Sequence, residues 1–453
     1  MNRRDFLKET ALTGAAAAIA GRAGAQPARQ TGPANTGGNP APSDRITLGF
    51  IGAGARGQQL IDAAQQVRGV EIVALCDAYT GRAERAKSRT DGRADILPEY
   101  RAILARSDVD AVVIGTPDHL HTSIAIAALE AGKDAYIEKP MTYTVEEGLQ
   151  VIDAVKRTRR VVQVGSQGMS SSLNNKAREM VQSGLLGQVT MIRASYNRNT
   201  AGGAWIYPIP PDATPETVKW EQFLGPAPKR PFDLERFFRW RCYWDYSGGI
   251  TGDLFVHLLT TIHHVMDAKM PATVLASGEL YRWKESREVP DTLNAVLVYP
   301  EGFTVNLSST FNNQSASESG FEILGTEGSL AFRGGQLSFT RENVREDHGW
   351  IVESWPKALQ DAYYADPKVQ AAEVSRTWPQ TMKDESERWS EWGRSTDVVH
   401  VENFITAVRS RRQPAQDAVM GHHAASGAHL VNLSLRQKRA VEWDFDRDTV
   451  KAV

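Results

Sequence analysis

Between residues 46 and 165 the chain alternates short apolar runs, almost unbroken by polar residues, with segments of helical periodicity. The runs are 46–52 (ITLGFIG), 70–77 (VEIVALCD), 111–116 (AVVIGT), 134–138 (DAYIE) and 161–165 (VVQVG). Helices fit between them, for example over 123–131 and 145–158. A strand that is apolar throughout has to be covered on both faces, and parallel neighbours need a long crossover that helices supply. The alternation therefore predicts an α/β domain with a doubly wound parallel sheet, a Rossmann arrangement over residues 45–167.

The first run is followed at once by Gly52-Ala53-Gly54-Ala55-Arg56-Gly57 and then by a helical stretch. In that context the first glycine permits a tight turn, the second lets backbone approach a pyrophosphate, and the third lets helix and strand pack closely. The helix start adds unpaired N–H groups and a positive dipole end. A dinucleotide is expected here, held by Gly52, Gly54, Ala55, Arg56 and Gly57. Asp77 stands 20 residues beyond Gly57, at the end of the second run. A carboxylate there accepts from the ribose hydroxyls and repels a 2′-phosphate, which favours NAD over NADP. Arg82, close by, works against that preference, and plain helix capping is the alternative role for Asp77.

After about residue 188 the pattern changes to longer, often alternating strands such as 189–197, 273–283, 292–300 and 303–311, joined by short turns. This predicts an α+β region, 168–453, built on an open-faced, mainly antiparallel sheet. Helical stretches at 398–410 and 419–437 are expected to pack back on the Rossmann domain.

Several motifs now stand in order: the glycine loop, Thr116-Pro117-Asp118-His119-Leu120-His121, Ala131-Gly132-Lys133 and Glu138-Lys139-Pro140. From about residue 46 to its end the chain resembles the Gfo/Idh/MocA family, the glucose-fructose oxidoreductases and inositol dehydrogenases. The resemblance implies that nicotinamide and substrate meet between the two domains. It implies cofactor contacts from Thr116, Pro117, His121, Glu138, Lys139 and Gln167, with Lys139 facing both ligands. It also implies that Asp253 and His257 lie beside the substrate. The chemistry is coherent, because oxidising an alcohol sends a hydride to the nicotinamide and a proton to a nearby group. An ammonium polarises the oxygen, and an imidazole exchanges protons near neutrality.

Other roles compete for these residues. Asp253 sits where it would stabilise a helix start, His257 has the character of a core histidine, and Asp253, His257 and one of His263 or His264 invite a metal reading. Adjacent histidines point to different helix faces, and no metal is expected. Aromatic residues crowd 205–246, with Arg239 and Arg241 among them, and suit either sugar stacking or packing.

The formal charge of −2 and the absence of a basic stripe exclude nucleic acid and anionic membrane as evident partners. Two cysteines, Cys76 and Cys242, are too few for a disulfide framework. At the amino terminus, MNRRDFLKETALTGAAAAIAGRAGA joins a twin arginine to a short, weakly apolar segment ending in A-x-A. It predicts a cleaved twin-arginine signal over 1–25, a flexible leader over 26–44, and no stable membrane insertion. The expectation is a periplasmic or secreted protein, handled by the twin-arginine machinery and carrying a tightly bound NAD. A homo-dimer or homo-tetramer fits the open sheet face. Its activity would be hydride transfer with a sugar, polyol or glycoside hydroxyl. The alternatives are an NAD-dependent glycoside hydrolase working by transient oxidation, elimination and re-reduction, and a nucleotide-binding sensor without catalysis.

Overall fold

The computed structural model of the chain describes residues 45–313, 320–342, 346–373 and 387–451. The signal and leader expected over 1–44 lie outside the described residues.

The amino-terminal sheet comprises β1 (Ile46–Ile51), β2 (Val70–Cys76), β3 (Asp95–Ile96), β4 (Ala111–Ile114), β5 (Asp134–Glu138) and β6 (Val162–Gly165), in the order β3-β2-β1-β4-β5-β6. Every pairing is parallel. The order reverses beside β1, and ligands bind outside the carboxyl ends of such strands at that point. Helices α1 (Ala55–Ala64), α2 (Thr80–Arg89), α3 (Asp118–Glu130) and α4 (Val145–Thr158) supply crossovers. The doubly wound class is as the apolar runs require.

Helix α3 begins at Asp118, not near 123, because Pro117 takes an extended N-cap conformation (ψ 154°) and Asp118 opens the first turn. A carboxylate there is favoured by the helix dipole. Helix α4 starts on a capping box in which Thr144 accepts from the Glu147 N–H and Glu147 returns the bond.

The second sheet has ten strands, in the order β14-β13-β12-β11-β7-β10-β9-β8-β15-β16. They are β7 (Val189–Ser195), β8 (Thr273–Glu279), β9 (Thr292–Val298), β10 (Thr304–Thr310), β11 (Gly320–Gly325), β12 (Gly328–Arg333), β13 (Gln336–Arg341), β14 (Glu387–Ser390), β15 (Val441–Asp444) and β16 (Thr449–Val450). All pairs are antiparallel except β7 with β10. Along β9, buried Leu293, Ala295 and Leu297 alternate with exposed neighbours, so one face is core and the other open. Leu275, Val296 and Val298 stand out on the open face.

Helices α5 (Ser172–Gln182), α6 (Val256–Met266) and α8 (Ala418–Gln437) cover the inner face, and α8 also packs on α4. Helix α7 (Thr396–Ser410) buries Val401, Phe404 and Ile405 in one cluster with Phe50 and Tyr136 of the parallel sheet and Leu60 of α1. The end of the chain thus clasps both sheets, and the cleft between them opens at the carboxyl ends of β1, β4 and β5.

Candidate active site

A cleft of ≈ 1190 Å³ runs from Asp77 across the glycine loop to Lys139, Asp253 and His257. Its loop meets the steric demands of a dinucleotide. Gly52 has φ +90°, and a Cβ there would lie 2.7 Å from the Gly115 carbonyl. A Cβ at Gly57 would collide with the Gly52 carbonyl, whereas one at Gly54 meets no protein atom within 4 Å. The first and third glycines are therefore fixed by the protein's own packing, and the second leaves an open berth over the start of α1, where phosphates bind. Asp77 Oδ2 accepts from the Ala53 N–H (2.7 Å) and Oδ1 from the Tyr79 N–H (2.8 Å). The carboxylate pins the loop to β2 and still has lone pairs for two hydroxyls. Thr116 Oγ1 and Gln167 Oε1 line the cleft buried and without a hydrogen-bond partner among the described residues, as groups awaiting a polar ligand would be.

At the other end, Lys139 leaves the tip of β5 and its Nζ donates to Asp253 Oδ1 (3.0 Å) and to the Asp253 carbonyl (2.9 Å). Arg241 Nε donates to the same Oδ1 (2.9 Å) and Trp205 Nε1 to Oδ2 (2.9 Å). Asp253 sits in a π-helical turn, Thr251–Phe255, that leads into α6, and His257 follows on that helix. Although Asp253 is fully buried, Lys139 and Arg241 hold its carboxyl well below the usual range. Four donors now occupy this residue's side-chain and carbonyl oxygens, so its role is to fix Lys139. An ammonium has three donors. Two are spent on Asp253, which leaves one for the cleft.

His257 lines the cleft with its ring 6.3 Å from that of Tyr196. Burial, reinforced by Lys139, lowers its pKa to about 3, so it stands as a neutral imidazole near neutrality. Asp118 also lines the cleft; its Oδ2 has no hydrogen-bond partner among the described residues, and burial raises its pKa.

The remaining anticipated residues are tied to one another and to the frame, and Arg56, Pro117 and Glu138 also line the cleft. Glu138 accepts from Arg56 Nε (2.7 Å), and Arg56 also donates to Asp397 on α7 (2.9 Å). Glu138 therefore aims Arg56, while Lys139 is aimed from across the cleft. His121 sets one ring nitrogen 2.8 Å from the Pro140 carbonyl and the other 2.9 Å from the Thr116 carbonyl. It ties the loop after β4 to the loop after β5, and Pro117 caps α3 beneath them. His263 and His264 diverge, to Tyr299 and Asn175. Among the described residues no group of three or more His, Cys, Asp and Glu is placed to hold a metal ion. Arg239 pairs with Glu235 (2.7 Å), away from Asp253.

Sequence reasoning had no means to single out Trp205, Asp118, Tyr196, Arg198 or Asp397. Trp205 lies 48 residues from the carboxylate it binds, and Asp397 lies 341 from Arg56. Asp118 sat inside a recognised motif but carried no spacing of its own.

Residues 46–166 match the model described as "Oxidoreductase family, NAD-binding Rossmann fold", and residues 222–331 match the "GFO/IDH/MocA C-terminal domain". Among curated proteins, a "Glycosyl hydrolase family 109 protein" of Shewanella baltica is 32% identical over 161 residues, 34% of this chain and 35% of the relative. An "Alpha-N-acetylgalactosaminidase" of Shewanella oneidensis is 32% identical over 159 residues, 33% of this chain and 35% of that protein. The chain thus spans about a third of the length of the curated relatives it matches. A solved levoglucosan dehydrogenase in complex with NADH and levoglucosan shares the fold with a TM-score of 0.63 at 20% identity, over 88% of this chain and 99% of that one.

Proposed function

The chain belongs to the Gfo/Idh/MocA oxidoreductase family and has its NAD-binding Rossmann domain; from this we propose that it oxidises a ring or chain hydroxyl of a sugar, polyol or glycoside. The observation that carries the proposal is the convergence of Lys139 from β5 and His257 from α6 on one cleft continuous with the glycine loop. When bound, the nicotinamide supplies the hydride acceptor. The third N–H of the Lys139 ammonium donates to the substrate oxygen and stabilises negative charge developing there. His257, neutral and with no hydrogen-bonded carboxylate among the described residues, accepts the hydroxyl proton as the hydride leaves and passes it on to solvent, since its low pKa does not let it keep the proton. Asp253 holds Lys139 in place, and Trp205 and Arg241 hold Asp253.

The test is to denature the purified protein, identify the nucleotide released, and follow the nicotinamide absorbance of the intact protein against a panel of sugars. Replacing Lys139 with Ala should abolish reduction while nucleotide content stays unchanged; turnover equal to wild type in that variant defeats the assignment.

The glycosidase reading is supported by the names of the curated relatives that match about a third of the chain. Release of nitrophenol from aryl glycosides without net reduction of the nicotinamide would favour it. Export through the twin-arginine pathway rests on residues 1–25 alone, and the bound nucleotide would then travel inside the folded protein. Fractionating cells that express the full chain, with and without an Arg3→Lys, Arg4→Lys pair, tests that route.

A further inference from the structure

The cations that line the cleft are not equally satisfied. Arg56 is neutralised by Glu138 and Asp397, Arg101 by Glu99, and Lys139 and Arg241 share Asp253. Arg82, at the Asp77 end, lies over the rings of Phe237 and Phe238. Arg198 has no carboxylate partner among the described residues. Its backbone N–H donates to the Thr310 carbonyl (3.2 Å), and its guanidinium stands 5.6 Å from the centroid of the Tyr196 ring. Yet Arg198 is half-buried, and it lies close enough to Asp253 and His257 to disfavour protonation of both.

Charge at this end does not balance. Lys139 and Arg241 converge on the same oxygen of a single carboxylate, and Arg198 adds a third cation beside them. Asp118, the other carboxyl on this wall, is buried, with Oδ2 lacking a hydrogen-bond partner among the described residues, an environment that favours its neutral form. Holding a partly desolvated guanidinium without a counterion costs free energy that a ligand anion would return. The phosphates of a dinucleotide do not answer it, because they belong at the glycine loop of the parallel sheet. Arg198 follows β7 of the other sheet and stands beside His257.

We infer that the substrate is a sugar carrying one anionic substituent, carboxylate or phosphate, and that Arg198 binds that group in a forked, charge-assisted pair. The inference rests on the reading of this cleft as the sugar site and adds the substrate class. Tyr196, under the guanidinium, keeps the fork turned toward the cleft, and a lysine in place of Arg198 would supply the charge without the fork.

The experiment separates binding from chemistry. The full chain loaded with NADH is titrated with D-glucuronate, D-galacturonate, D-glucose 6-phosphate, D-glucose and D-galactose, with the fluorescence of the bound NADH as readout. The wild type should bind at least one anionic sugar about tenfold to a hundredfold more tightly than its neutral counterpart, the range for a hydrogen bond to a charged group. Arg198→Gln should erase that advantage without changing NADH retention, and Arg198→Lys should restore part of it. Preference for the uronates or for the phosphate identifies the source of the anion. Equal affinity for charged and neutral sugars, no binding of any anionic sugar, or an unchanged preference in Arg198→Gln overturns the inference. Reduction of bound NAD, followed separately, keeps the two readings apart. Arg198-dependent binding without reduction sinks the dehydrogenase reading alone, whereas oxidation of neutral sugars indifferent to Arg198 sinks this inference alone.

Discussion

Replacing Asp253 with Asn removes one charge and almost no volume, and its consequences are set by where the donors lie. Oδ1 accepts from Lys139 and Arg241, and Oδ2 from Trp205. An amide must put its NH2 where one of those oxygens stood. Facing the two cations would lose two bonds and add a donor clash, so the NH2 turns to Trp205. The indole N–H of that buried residue is then unsatisfied, at a cost of about 1–3 kcal/mol. The Lys139 and Arg241 charges lose their shared counterion; breaking a buried pair costs about 3–5 kcal/mol in general. Here the cost is at the low end, because Lys139 keeps the Asp253 carbonyl at 2.9 Å. Together these predict a stability loss of about 4–6 kcal/mol in urea denaturation. With its anchor weakened, Lys139 no longer presents its remaining N–H to the reacting oxygen, so kcat should fall about 10²–10³-fold, the cost of losing one oriented donor. KM should change much less, since the carboxylate oxygens of Asp253 are already engaged by Lys139, Arg241 and Trp205. The assay is single-turnover reduction of the bound nicotinamide. A variant with wild-type kcat, or one whose whole defect lies in KM, would refute the view that Asp253 acts through Lys139.

Gly54→Ala should leave the thermal midpoint of the nucleotide-free protein unchanged while nucleotide content falls, since a Cβ there meets no protein atom but occupies the phosphate berth; Gly57→Ala should lower both, because its Cβ meets the Gly52 carbonyl. Release of nucleotide on denaturation, set beside a melting curve, separates the two. His257→Ala should cut oxidation about 10²–10⁴-fold with nucleotide retained, and nicotinamide absorbance in a stopped-flow trace checks it. Burial lowers His119, His264 and His429 to about 4 and His257 and His263 to about 3. The unfolded chain takes up these protons near about pH 6.5 while the folded chain does not. Stability from the neutral histidines is therefore full above that value and lost as pH falls toward 4 and 3, with Asp118, shifted the opposite way, offsetting part of it. The urea midpoint should drop between about pH 7 and about pH 5, and a flat midpoint counts against burial of these rings.

The parallel sheet was readable because its strands are short-range facts. Unbroken apolar runs such as 111–116 have one stable use, and the glycine loop announces its turn locally. The open sheet was readable as a class, from alternation in segments such as 292–300. Strands β12 and β13 escaped notice because each is six residues long and only partly apolar. The start of α3 was misplaced because a proline cap moved it to Asp118. In the site, the motif residues stood out in the sequence, but not their hydrogen-bond partners: Glu138 accepts from Arg56, and His121 braces two loops. Lys133, in the recognised Ala-Gly-Lys motif, donates to the Arg106 and Val109 carbonyls, each at 2.7 Å, under the sheet.

By itself the sequence determined the amino-terminal topology, the nucleotide loop and which ionisable residues were candidates, because periodicity, turn residues and glycine positions act over a few residues of chain. Only the tertiary structure decided which charges neutralise one another. Lys139 and Asp253 are separated by 114 residues, and the pairing that fixes the ammonium exists only once the two sheets face each other. The same closure leaves Arg198 without a carboxylate partner among the described residues, since a counterion is a property of what folds alongside a residue.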